Sequence, residues 1–152
     1  MECVSSITGK KGCGMAAESN GNVWEDSTLC VFAGLARDSQ CLARDLSVLV
    51  TSVGVHDDFD SPSFHSDLDA LTGILASGAA AQAIRDVLTD DDRAVLRDMK
   101  PVYTLLAHRF FLDFQSDDDA ARASLASARV LLDQCRAIVS RLFAALGSVD
   151  NA

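Results

Sequence analysis

An all-α bundle around a central hydrophobic helix is the fold class this sequence predicts, on three observations. Apolar residues recur at helical spacing along the chain beyond residue 22, as in Leu42, Leu46, Leu49, Val50 and Val53, which marks helices with one buried face. The run from Val95 to Leu112 is apolar on nearly every side, and a helix greasy all round must be wrapped by other helices. Helix start and stop signals punctuate these runs: Thr89 before Asp90, Asp91 and Asp92, and Gly54 after Val53. At 152 residues the chain is long enough for one domain to bury a core without disulfides or metals.

Taken in order, residues 1–22 are rich in Gly, Ser and Asn and read as a flexible N-terminal arm. The helical domain then spans 23–148. A first helix is expected from Trp24 to Arg37, entered through Glu25 and Asp26, with Leu29, Phe32, Ala33 and Ala36 on its apolar face. A second follows from Ser39 to Val53 and ends at Gly54. His56 to Pro62 is turn chemistry, with Pro62 placed to open the next helix. Phe64, Leu68, Leu71, Ile74 and Leu75 form its stripe, which stops at Ser77 and Gly78. Ala79 to Leu88 is a short alanine-rich helix with Ile84, Val87 and Leu88 inward.

Thr89 is an N-cap, and the three aspartates after it suit the positive end of the helix dipole. The long helix that starts there is expected to kink or restart at Pro101, which lacks a backbone donor. A Ser116 cap opens the last segment, 117–146, where Leu125, Ala128, Leu132, Cys135, Val139, Leu142 and Phe143 make the stripe. Because 30 residues is long for a globular helix, a break near Asp133 to Arg136 is expected to divide it in two.

Composition narrows the function classes. A net charge of −9 and a pI near 4.5 argue against nucleic acid, since phosphate binding needs clustered Lys and Arg. The arginines alternate with acids at spacings of solvated helix faces. The start of the chain has no apolar signal core, and the run Val102 to Leu112 is far short of the ~20 residues a membrane span needs. Five cysteines at irregular intervals, with no C-x-x-C pair, fit a reducing compartment. The expectation is a soluble intracellular protein with no membrane contact.

No G-x-S-x-G, H-E-x-x-H, Walker loop or G-x-G-x-x-G occurs, so neither an enzyme nor a cofactor is expected. The polar cluster His56, Asp57, Asp58, Asp60, His65, Asp67 and Asp69 lacks the order of a calcium loop or a zinc site and reads as an acidic connector. His108 in the long helix reads as a core or boundary histidine rather than a general base. Trp24, the only tryptophan, is either a staple onto the first helix or an anchor for a partner. The small-residue run Ala120, Ala121, Ala123, Ser124, Ser127 and Ala128 could pack inside the molecule or against another one. The candidate protein-interaction face is Trp24, Leu29, Phe32, Ser124, Ser127 and Ala128.

The helix order, the capped acidic turn LTDDDRAVLRDM, the greasy run VYTLLAHRFFLDF and the closing segment ASLASARVLLDQCRAIVSRLF resemble the poxvirus Bcl-2-like family of intracellular immune modulators. ARDSQCLARDLSVLVTS is similar to the second helix of several members. The resemblance covers about Trp24 to Leu146 and is carried by pattern rather than by an invariant motif. It implies a compact Bcl-2-like bundle of six or seven helices, no catalysis, and residence in the host cytoplasm. It also implies binding to host innate immune signalling proteins with inhibition of NF-kappaB activation. Many members form a homodimer through the first and sixth helices, which here would involve Trp24 to Arg37 and Asp117 to Asp133. The few lysines, Lys10, Lys11 and Lys100, suit a GC-rich viral genome.

The alternative branch of that family inhibits apoptosis by holding pro-death helices in a groove, and carries an Asn-Trp-Gly-Arg motif. The corresponding stretch here is Thr89-Asp90-Asp91-Asp92-Arg93, without the Trp or the Gly. Arg93 or Arg97 could substitute for the motif's arginine, but three acids beside such a groove repel an acidic ligand helix. An immune-signalling inhibitor is therefore the first expectation.

Overall fold

The computed structural model describes residues 24–54, 63–73, 77–115 and 117–149, and among them there are helices and no strands. Helix α1 is Asp26–Ser52, α2 is Phe64–Gly73 and α3 is Ala79–Val87. Helix α4, Asp90–Thr104, runs on through a π-helical segment, Leu105–Arg109, into α5, Phe110–Phe114, and α6 is Asp118–Val149. Counting the α4-to-α5 rod once, the described residues hold five helices, where six or seven were expected of the whole chain. The N-terminal arm, the His56 to Pro62 turn, Ile74, Leu75 and Ser116 lie outside the described residues.

Two expected breaks are absent among the described residues, so α1 and α6 are each one helix where two were expected. Helix α1 passes straight through Asp38 and Ser39 because nothing there stops a helix. Ser39 is buried and its hydroxyl donates to the Ala36 carbonyl at 2.8 Å, a bond within the helix rather than an N-cap. Helix α6 likewise continues through 133–136, with Cys135 buried and its charged neighbours outside. Their lengths, 27 and 32 residues, correspond to about 40 and 48 Å at 1.5 Å per residue.

A heptad pattern explains how both helices stay in contact over that length. The inward positions of α1 are Thr28, Leu35, Leu42 and Leu49, with Phe32, Ser39, Leu46 and Val53 four residues on. Those of α6 are Ala121, Ala128, Cys135 and Leu142, with Leu125, Leu132, Val139 and Leu146. A repeat of 3.5 residues holds a seam on one side of a gently supercoiled pair. The two helices run parallel: Glu25 reaches Arg122 near their starts and Asp38 faces Arg136 further along.

The expected central helix is corrected by this packing. Helices α1, α2, α4 and α6 form a ring in which α1 and α4 each pack on both α2 and α6, while α3 lies on α6. Helix α4 runs antiparallel to α6, with Arg141 on Asp92 at one end and the Asp117 N–H on the Phe114 carbonyl at the other. From Val95 to Leu112 only Leu96, Met99, Leu106 and Phe110 are buried. Phe111 is 49% exposed and Leu112 70%. The rod therefore has one inward face, and the core is shared among four helices. Apolar residues on its other side face solvent or lie at its flanks, so hydrophobicity all round did not produce encirclement.

Two local signals act as the sequence predicts, and two differ. Thr89 caps α4 in a reciprocal box: its hydroxyl accepts from the Asp92 N–H at 3.1 Å, and its own N–H donates to the Asp92 carboxylate at 3.0 Å. Gly54 ends α1 at φ +75°, a left-handed conformation that glycine adopts without a side-chain penalty. The Ser116 cap expected for α6 lies outside the described residues; it is the Asp117 carboxylate, not singled out in the sequence, that accepts from the Ala120 N–H at 2.9 Å. Pro101, where a kink or restart was expected, lies inside α4 without ending it; the irregular turn comes four residues later, where the Phe110 N–H reaches the Leu105 carbonyl five residues back.

Candidate interaction surface

The first turns of α1 and α6 are tied together by charge. Arg122 bonds Glu25 and Asp118, the latter at 2.7 Å, and also donates to the Thr28 hydroxyl at 3.0 Å. Desolvation pushes the Asp118 carboxyl up, but the Thr28 hydroxyl, the Glu25 N–H and Arg122 outweigh it and hold it below the usual carboxylate range. Asp92 behaves alike at the other end of α6: burial raises it, while Thr89 and Arg141 lower it by more.

Beyond that knot the two helices leave a groove of about 390 Å³ between their N-terminal halves, lined by Ser27, Thr28, Val31, Arg122, Leu125, Ala126 and Arg129. Its floor is Leu125, and Val31, 38% exposed, forms one wall. Val130, on the outer side of α6, is 60% exposed. The groove lies where the parallel helices meet through small residues on α6 such as Ala126.

The expected contact residues divide across this region. Ser127 is exposed, and Ser124, Leu29 and Phe32 are half-buried. Trp24 is 9% exposed and Ala128 2%, so both face inward and leave the candidate face. Trp24 packs on Phe110 and Phe111, with ring centroids 5.5 and 6.0 Å apart, and Phe32 stacks on Phe110 at 4.5 Å. The indole staples the chain onto the α5 end of the rod rather than onto α1 alone, a long-range contact with no local sequence signal. Val31, Ala126 and Arg129 were not among the six named candidate residues, although they fall within the segments Trp24 to Arg37 and Asp117 to Asp133 that the resemblance implied for a dimer face. Their signal was the heptad register, which places them beside the seam.

The other candidate groups are accounted for elsewhere. His65 is 3.2 Å from the Thr104 hydroxyl, Asp69 pairs with Lys100, and Asp67 is buried. His108 is exposed rather than in the core. Among the described residues no three His, Cys, Asp or Glu side chains converge as a metal site would require, and no helix is long and apolar enough to cross a membrane. Arg93 donates to the Thr72 carbonyl and lies 3.7 Å from Asp90, and Arg97 donates to the Arg93 carbonyl at 3.1 Å. Both candidate stand-ins for a groove arginine are thus engaged within the molecule. Compared with known families, with curated proteins and with solved structures, the chain matches none.

Proposed function

We propose that this protein is a non-enzymatic binding module that docks another protein on the face made by α1 and α6. The observation that carries the reading is the groove between their N-terminal halves, with an apolar floor and walls open to solvent. Its place agrees with the surface that the resemblance to the poxvirus Bcl-2-like immune modulators implies. That resemblance supplies the partner class, host innate immune signalling proteins, and the outcome, lower NF-kappaB activation in the host cytoplasm. It rests on sequence pattern, and the wrapped central helix that the apolar run Val95 to Leu112 predicted is not how this chain packs.

The experiment is an NF-kappaB reporter in stimulated cells expressing the protein. Wild type is expected to lower the signal and Ala126→Tyr, which fills the groove, to restore it at equal protein level. Full reporter activity with the wild type present overturns the immune role. A groove for pro-death helices is not taken up, because Arg93 and Arg97 already have backbone partners. A homodimer belongs to the same reading, with Ser127 and Val130 on the outer side of α6 available to a second copy.

A further inference from the structure

Arginines recur every seven residues along α6, at Arg122, Arg129 and Arg136, just beside the buried Ala121, Ala128 and Cys135. The flank of α1 that faces them carries Val31, Asp38 and Asp45 at the same interval. Because the helices are parallel, the pairings step together. Arg136 faces Asp38 at 3.7 Å, and one heptad earlier Arg129 and Val31 line the same groove. A further step back along α6, Arg122 meets Glu25, six residues before Val31 rather than seven. The middle rung alone has no acid on α1. Among the described residues Arg129 has no ion pair or hydrogen bond, although the chain holds 22 acidic residues against 13 basic ones.

We infer that this groove takes a carboxylate-bearing apolar segment of a partner protein, its acid pairing with Arg129 where α1 presents Val31. The inference rests on the docking face proposed above and names the chemistry that fits it. An acid arriving over Leu125 and Ala126 supplies the missing rung, and its apolar neighbours cover the floor. An arginine is suited to this because its planar guanidinium binds a carboxylate through two parallel hydrogen bonds. The chain's overall negative charge would slow the approach of an acidic partner, so recognition depends on this local cation rather than on long-range steering.

A random dodecapeptide library displayed on phage, selected on the purified full chain, is the probe. Enriched sequences are expected to share an Asp or Glu flanked by Leu, Ile or Phe. Synthetic copies should bind with micromolar affinity by fluorescence polarisation. Replacing the peptide's acid by its amide, or the protein's Arg129 by Gln, should weaken binding at least tenfold. Val31→Asp should do the same while leaving the melting temperature equal or higher, because it completes the ladder from within. Peptides lacking an acid, binding indifferent to both Arg129→Gln and Val31→Asp, or no enrichment at all overturns the inference. If such acid-free peptides are nevertheless lost with Ala126→Tyr, the docking face stands and only the carboxylate chemistry fails.

Discussion

Single residues show most directly how environment decides behaviour. Cys135 is fully buried, its thiol 3.8 Å from the Val95 carbonyl, and burial with Asp98 nearby pushes its pKa up to about 12. A thiol held neutral at physiological pH is a poor nucleophile, whereas Cys30 and Cys41 lie exposed on α1. Iodoacetamide on the native protein, followed by peptide mass spectrometry, should label Cys30 and Cys41 and spare Cys135 until denaturant is added. Labelling of Cys135 at the same rate contradicts the packing. Thr89 offers a second test at this scale. Thr89→Ala removes one side of the capping box and should lower stability by about 0.5–2 kcal/mol in urea denaturation. The cap was legible from sequence because its donor and acceptor are three residues apart. The inward turn of Trp24 was not, because its partners Phe110 and Phe111 are far along the chain.

At the scale of elements, apolar spacing located most helices, while their breaks and surroundings were harder to read. Phe64, Leu68 and Leu71 point inward as their spacing predicts, as do Ile84 and Leu88. The supposed breaks at Ser39 and near Asp133 failed for one reason: a polar residue interrupts a helix only if it competes for backbone bonds or must be capped. Ser39 bonds back along the helix instead, and the polar residues near Asp133 simply face solvent. The rod from Asp90 to Phe114 failed differently, since its residues have the composition of a wrapped helix but its neighbours cover one side. Leu106→Ala on the covered side should cost about 2–5 kcal/mol. Leu112→Ala on the open side should fall within about 0.5 kcal/mol of wild type. Equal losses at the two sites would restore the encircled helix.

Across the whole molecule, parallel α1 and α6 form the longest seam, with α2, α3 and α4 closing the core around them. Ion pairs fasten the ends, and their carboxylates give stability a direction with pH. Asp92 and Asp118 have folded pKa values below their ordinary ones, so the unfolded chain binds protons more readily than the native one as pH falls. The stability they contribute is present above about pH 4 and is lost as pH drops through their folded values. The urea midpoint should therefore be lower at about pH 3 than at about pH 6, and Arg141→Gln should reduce that difference. A midpoint unchanged between the two would contradict the assignment. Assembly is also decided at this scale: light scattering is expected to give a dimer at micromolar concentration, and Val130→Glu a monomer of unchanged helicity. A wild-type monomer removes the homodimer from the proposal.

The sequence by itself determined that the described residues are helical, where α3 and α4 begin, and how Thr89 and Gly54 act, since these follow from periodicity and from bonds between near neighbours. Only the tertiary structure decided that α1 and α6 are continuous and parallel, that the rod from Asp90 to Phe114 is covered on one face, and that Val31 and Arg129 share a groove. Those outcomes depend on which faces meet, and a repeating apolar pattern says that a face will be covered without saying by what.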